Sequence, residues 1–418
     1  MSVFDTYFSR YLAFETQIKV LPHANTGIIV VIPCYNEPDV LSSLQSLFVA
    51  DKPKCAIEVI VVINASERES SVVKAFNYNT YNLIKEWADV HNSQLFNVYP
   101  LLFDNLQHKF AGVGWARKIG MDEALRRFDY LNNDKGVIVG FDADSTCSGN
   151  YFTELERYFA NIKYTACSIY FEHPTYGGNF DDTIYKAILL YELHLRYYIA
   201  GMRYTGVPYA YHTIGSSFAV RAYAYAGQGG MNRRKAGEDF YFLHKIIAVY
   251  NYGNLTTSTV FPSPRTSTRV PFGTGAAMLT IVKNNSLYTY NINVFKHIRS
   301  FISQLPLIYN NQNTSFNPVL EQFLQVHNYN DLVLQAKDNS SSFESFVKRF
   351  YSWFDAFMFL KAVNFMHENY LEKQSILEAA HNLALTVSDS VSDSLSSLQL
   401  LTFYRNNDKL LFENSNII

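Results

Sequence analysis

Through the first two thirds of the chain, continuous apolar runs alternate with apolar stripes at helical spacing. Gly27-Ile28-Ile29-Val30-Val31-Ile32 has no polar interruption, the pattern of a parallel strand covered on both faces. Val40, Leu41, Leu44, Leu47 and Phe48 then recur as one buried helical face, and Ile57 to Ile63 is a second apolar run. Strand, helix and strand of these lengths predict a βαβ unit with a right-handed crossover. Helical spacing returns between Val72 and Val90, a third strand is predicted over Leu95 to Leu102, and a helix runs from Gly112 to about Phe128. Val137 to Phe141 reads as a short buried strand in which Gly140 allows a close backbone approach. Further strands are predicted at Thr165–Phe171, Thr213–Val220 and Leu255–Phe261, with helices from Tyr151, around Ile184 to Ile199, at Arg221–Ala226 and at Phe240–Val249. A helix is also predicted over Phe4 to Ile18.

From Ala276 the alternation stops and only helical stripes remain. Val294, Phe295, Ile298, Phe301 and Ile302 mark one helix, Phe343 to Met358 a longer one, and Gln374 to Tyr404 a further helical stretch. The predicted organisation is therefore an N-terminal helical segment (1–26) packing on an α/β domain (27–275), followed by an all-helical C-terminal region (276–418) without a catalytic constellation.

Composition narrows the class. The chain has 418 residues and is 48% hydrophobic, enough for more than one core. A net charge of -2 gives no field to draw in nucleic acid. The aromatic fraction of 16% suits both a helical core and a carbohydrate-facing cleft, and core packing accounts for most of it. Cys34, Cys55, Cys147 and Cys167 show no CxxC pair or zinc spacing and read as reduced thiols of a cytoplasmic protein. No basic n-region leads an apolar stretch, so no signal peptide is expected, and no apolar run reaches the ~20 residues a transmembrane helix needs. Peripheral contact with the inner face of the membrane stays open.

Candidate chemistry gathers where strands end. In an open α/β sheet ligands collect at the carboxyl ends of strands, and Val137–Phe141 runs directly into Asp142-Ala143-Asp144. Carboxylates so spaced can share Mg2+ or Mn2+ through oxygen ligands; the alternative is a turn that caps the helix from Tyr151. The first strand ends at Pro33-Cys34-Tyr35-Asn36-Glu37-Pro38, where Asn36 is placed to cap the next helix and Pro38 fits its first turn. Arg117 and Lys118 lie in early turns of their helix and suit phosphate binding, although Arg117 could instead pair with Asp122 or Glu123. Glu238 and Asp239 open a helix after a basic run, which favours them by the helix dipole and also leaves a second carboxylate beyond capping needs. Arg265 and Arg269 stand on a Pro/Gly-rich segment ending at Gly275, suited to gripping phosphate oxygens.

In order, Val30 to Glu37, the strand ending at Asn64, Ala116 to Gly120, Asp142-Ala143-Asp144, Gly215 to Arg221 and Gly237-Glu238-Asp239 resemble the GT-A-fold nucleotide-sugar glycosyltransferases, most closely those of family two. The resemblance covers about residues 27 to 275. It implies a Rossmann-like, mostly parallel sheet flanked by helices, and transfer of a sugar from a nucleotide-diphosphate donor to a glycan, glycolipid or small-molecule acceptor. By the same resemblance Pro33, Tyr35 and Glu37 line the base and ribose pocket, Arg117 lies near the nucleotide, and Asp142 and Asp144 hold the metal. Asp239 is the implied base of an inverting transfer, with Glu238 its acidic neighbour. Two departures stand out: Asn64 replaces an Asp that reads uracil in many relatives, and Lys118 replaces a frequent Asn. The Gln/Arg-x-x-Arg-Trp signature and membrane helices of processive synthases are missing, which implies addition of one or a few sugars. A retaining GT-A enzyme, a sugar-phosphate nucleotidyltransferase and a non-catalytic carbohydrate-binding protein are the competing classes.

Overall fold

A computed structural model describes residues 2–233, 237–267, 273–392 and 394–414, with side chains described as far as residue 410. The chain divides into two compact units: Met1–Ile184 with Thr213–Leu279 and Asp408–Ile418, and Tyr185–His212 with Thr280–Asn407.

The first unit is built on an eight-stranded sheet. Its strands are β1 (Thr26–Cys34), β2 (Ala56–Ser66), β3 (Phe96–Leu106), β4 (Val137–Gly140), β5 (Thr146–Cys147), β6 (Ala166–Phe171), β7 (Phe218–Arg221) and β8 (Tyr252–Phe261). They lie in the order β3-β2-β1-β4-β7-β6-β8-β5. The first four pair in parallel, β7 runs against β4 and β6, β8 runs parallel to β6, and β5 closes the edge antiparallel to β8. The predicted sheet flanked by helices is the one observed. The unbroken apolar runs form its centre: every residue of β2 and β4 is buried, as expected for strands covered on both faces.

The intervening helices are α2 (Val40–Val49), α3 (Ser71–His91), α4 (Val113–Tyr130), α5 (Tyr151–Ala160), α7 (Ala222–Gly227) and α8 (Glu238–Val249), with α1 (Val3–Tyr11) ahead of the sheet. The helix predicted to Ile18 stops at Tyr11. The segment beyond it is held by backbone contacts to α4 instead: Glu123 accepts from the amides of Gln17 and Ile18 at 3.2 and 2.9 Å, and Arg127 donates to the carbonyl of Val20 at 2.8 Å. The strand predicted over Thr213–Val220 is shorter, because residues 213–217 turn, closed by the Ser217 amide on the Ile214 carbonyl, before β7 begins at Phe218. Asn36 does not cap α2; Asp39 stands at that position without a side-chain cap, and Glu37 accepts the Asp39 amide at 3.1 Å.

Helix α1 is fixed by a buried polar cluster. The Tyr7 hydroxyl donates to Asp122 Oδ1 at 2.6 Å and accepts from Lys118 Nζ at 2.8 Å, while Lys118 also reaches Asp122 Oδ2 at 2.8 Å. Tyr225 of α7 donates to the same Asp122 Oδ1 at 2.6 Å. Burial raises the Tyr7 phenol and lowers the Lys118 ammonium from their usual ranges. Removing one hydroxyl from a buried charged cluster leaves its partners undersatisfied, so Tyr7→Phe should cost about 1–3 kcal/mol, read by urea unfolding. An unchanged midpoint would show that the cluster adds nothing.

The second unit contains α6 (Asp182–Thr205) from Tyr185 onward and, after α9 (Thr274–Asn284), the helices α10 (Ile292–Ile302), α11 (Leu305–Tyr309), α12 (Pro318–Val326), α13 (Tyr329–Asp338), α14 (Phe343–Trp353), α15 (Ala356–Asn369), α16 (Ile376–Val387) and most of α17 (Ser397–Asn414). The region expected to be all-helical also holds one short antiparallel ladder, β9 (Tyr288–Thr289) with β10 (Gln374–Ser375). The single helix predicted over Phe343–Met358 is two, because Asp355 interrupts it and caps α15 through the amides of Phe357 and Met358, both at 2.9 Å. Its core is aromatic, with Phe301 against Phe316, Tyr329, Phe350 and Phe354. Glu192 is fully buried and accepts from Arg196 and Arg405.

Candidate active site

The carboxyl ends of β1, β2 and β4 and the starts of α4 and α8 supply nearly all the candidate residues, and one buried arginine ties three of these pieces together. Arg117, in the first turns of α4, donates from Nη2 to Asp142 Oδ1 at 2.6 Å, from Nε to Glu238 Oε1 at 2.9 Å and from Nη1 to the Gly215 carbonyl at 2.8 Å. It does not pair with Asp122 or Glu123. A planar guanidinium can meet three acceptors at fixed angles in this way, which an ammonium cannot. The surrounding carboxylates hold it firmly protonated despite its burial.

Two glycines make this convergence possible. A Cβ on Gly215 would lie 2.3 Å from Arg117 Nη2 and 3.0 Å from Asp239 Oδ2. A Cβ on Gly140 would lie 2.8 Å from the Gly215 carbonyl oxygen and strike the Phe218 ring. The close approach expected at Gly140 is therefore real, and it brings the turn before β7 down onto the end of β4.

Asp239 sits beside this hub at the start of α8. Its Oδ1 accepts the amide of Phe240 at 2.7 Å. The helix dipole alone predicts an ionised carboxylate of lowered basicity, but burial comes first and the Glu238 charge second, and together they push Asp239 up from 3.8 to about 7. Arg117 opposes that rise and is outweighed. A carboxyl near 7 is matched to proton transfer at neutral pH.

A second arginine gathers a second group. Arg265, in the segment after β8, donates to both carboxylate oxygens of Glu37, from Nη1 at 2.7 Å and from Nη2, and Nη2 also lies 2.8 Å from Asp144 Oδ2. Arg265 thus joins the loop after β1 to the end of β4. Its Nε is buried and makes no hydrogen bond. Arg269, the other predicted loop arginine, lies outside the described residues.

Pro33 is in β1 with Val62 as its β2 partner, and Tyr35 follows, half-buried, donating to Glu69 Oε2 at 2.6 Å. Glu69 carried no motif signal, and its pairing with Tyr35 appears only in the fold. Asn64 is buried near the end of β2, and its Nδ2 donates to the carbonyl of Gly112, the residue before α4, at 3.0 Å. That contact uses one of the two Nδ2 N–H groups, so the side chain keeps both a donor and an acceptor. Lys118 is turned away from the group into the α1 cluster and does not serve as a phosphate ligand here.

Among the described residues no group of three His, Cys, Asp or Glu side chains is arranged to enclose a metal ion. Asp142 and Asp144 offer hard oxygen ligands that are partly exposed, with Oδ1 and Oδ2 respectively engaged by arginine. Two carboxylates completed by water and donor phosphate oxygens match the way Mg2+ is usually held, so the pair fits a cation that arrives with a diphosphate. Among the described residues no helix is long and apolar enough to cross a membrane.

The family described as glycosyl transferase family 2 matches residues 29–215. No curated protein matches the chain. Among solved structures the chain is similar to S. aureus TarS 1-349, with a TM-score of 0.39 and 13% identity over 94% of this chain and 91% of that one. It is similar to TarS 1-349 in complex with UDP-GlcNAc, with a TM-score of 0.39 and 14% identity over 94% and 92% of the two chains. It is also similar to the mannosyltransferase PcManGT from Pyrobaculum calidifontis in complex with GDP-Man and Mn2+, with a TM-score of 0.38 and 14% identity over 98% and 93%. At this level of superposition neither ligand nor chemistry passes from those proteins to this chain.

Proposed function

We propose that this chain, whose residues 29–215 are a glycosyl transferase family 2 domain and which is thereby a glycosyltransferase, moves a sugar from a nucleotide-diphosphate donor to an acceptor hydroxyl with inversion and with the help of a divalent cation. The observation that carries this reading is the convergence on Arg117: one buried guanidinium ties Asp142, Gly215 and Glu238 together, with Asp239 alongside.

Each residue then has a task set by its surroundings. Asp239, half-buried and raised to about 7, takes the proton of the acceptor hydroxyl as that oxygen attacks the anomeric carbon and the bond to the diphosphate breaks. Glu238 and Arg117 fix its position. Asp142 and Asp144 would hold Mg2+ or Mn2+, which when bound supplies positive charge against the departing diphosphate. Arg265 lies where it can exchange carboxylate partners for diphosphate oxygens, since a guanidinium grips either with the same fork. Tyr35, Pro33 and Glu37 face the nucleoside, and Asn64, whose amide keeps both a donor and an acceptor, sets no preference for one base. The acceptor is a glycan, glycolipid or small molecule.

A thermal-shift screen of UDP-, GDP-, CMP- and dTDP-sugars with and without Mn2+ tests this. At least one donor should stabilise the protein, more with the cation, and Asp144→Ala should lose the cation-dependent part. No response to any donor would overturn the reading; a full response in EDTA would remove the metal from it.

A further inference from the structure

Asn77 belongs to no motif and lies in the second turn of α3, yet its side chain is fully buried. Its Oδ1 accepts the backbone amide of Asn36 at 2.9 Å, and its Nδ2 makes no hydrogen bond. A carboxamide buried with its donor side unmet weakens a fold, and such groups persist where something else requires them.

The residue it holds is unusual. Asn36 has φ 48°, in the left-handed region, and its own side chain is exposed. An L residue enters this region only against a steric penalty, and Asn is among the more tolerant. The turn stands between Tyr35, which donates to Glu69, and Glu37, which is bound by Arg265. A change of φ at Asn36 therefore redirects the chain between two side chains assigned to the donor.

We propose that Asn77 is a positioning residue for donor binding: its carboxamide oxygen holds Asn36 left-handed and so sets the Tyr35–Glu37 turn against the nucleoside. This rests on the reading of Tyr35 and Glu37 as donor-binding residues. Glu37 is already engaged by Arg265 and Asp39, so the turn has a fixed far end. Asn77 supplies the near one.

The test compares wild type, Asn77→Leu, Asn36→Gly and their double mutant, by calorimetric titration with UDP and GDP and by donor-dependent transfer kinetics. Leucine has the branching and side-chain heavy-atom count of asparagine, though a larger volume, and offers no acceptor. Asn77→Leu should raise Kd and donor KM about tenfold while kcat stays within about twofold, the pattern of lost binding that is shared by ground state and transition state. Glycine reaches positive φ without a Cβ penalty, so Asn36→Gly should recover most of the loss in the Asn77→Leu background. If Asn77→Leu does not fold, Asn36→Val tests the same conformation from the exposed side, since a β-branched residue resists positive φ, and it should also weaken binding about tenfold. Wild-type Kd in Asn77→Leu, or in Asn36→Val, overturns the inference and leaves the donor reading intact. Equal losses in kcat and KM without recovery by Asn36→Gly overturn it too, in favour of a purely structural Asn77. Absence of nucleotide binding by the wild type overturns the donor reading itself.

Discussion

Asp239→Asn is expected to fold, to bind donor almost normally and to transfer sugar about 10²–10⁴-fold more slowly, the usual consequence of losing acid–base catalysis. Asparagine keeps the shape and can still accept the Phe240 amide that Asp239 Oδ1 accepts at 2.7 Å. It cannot take a proton. The wild-type kcat/KM should rise through an ascending limb near pH 7, where the carboxyl ionises, and the mutant's residual rate should lack that limb. Stability gives an independent check with a definite sign. The folded carboxyl holds its proton up to about 7 against an ordinary 3.8, so between these values the native state binds more protons than the unfolded chain. Stability then falls as pH rises through that window. The wild type should lose more melting temperature between pH 5 and 8 than Asp239→Asn does. Wild-type turnover in the mutant would remove the base; a product that keeps the donor's anomeric configuration would move the chemistry to the retaining class.

What the sequence showed about this site, and what it concealed, follows from the range of the forces involved. Strands β1, β2 and β4 are buried on both faces, so burial wrote itself into consecutive residues, and their ends located Glu37, Asn64 and Asp142. Helix α4 was legible, but the direction of its cations was not. Arg117 and Lys118 are neighbours in sequence, and only the packed helix shows one turned to Asp142 and Glu238 and the other to Tyr7 and Asp122. Glu69 and Asn77 act across 34 and 41 residues of chain through single hydrogen bonds, which leave no local pattern. The basicity of Asp239 is hidden for the same reason: the helix dipole is visible from sequence, whereas burial is a property of the whole fold. Asp355 ahead of Ala-Phe-Met is an ordinary N-cap, and it breaks the helix predicted through it.

Arg117 carries the other large expected effect, on both stability and turnover. Its guanidinium is the partner of Glu238, which is 3% exposed, and of Asp142, and it also satisfies the Gly215 carbonyl. Arg117→Met removes the cation and leaves the buried Glu238 carboxylate without its ion-pair partner, so the loss should be about 3–5 kcal/mol, as for other broken buried pairs. In a domain of this size that corresponds to a fall in melting temperature of roughly 6–15 °C. Charge alone will not repair the site. Arg117→Lys keeps a cation but has no planar fork to reach three acceptors at once, so it should recover part of the stability and little of the activity, with transfer at least about 10²-fold below wild type. The geometric argument has a second consequence. With its cation misplaced, Glu238 repels Asp239 less evenly opposed, which should move the ascending limb of the Arg117→Lys pH profile upward. Melting curves, transfer rates and that limb separate a hub that organises the site from one that only holds it together. An Arg117→Lys enzyme with wild-type turnover and an unshifted profile would show that the triple contact is structural, and that Asp239 owes its position to the start of α8 alone.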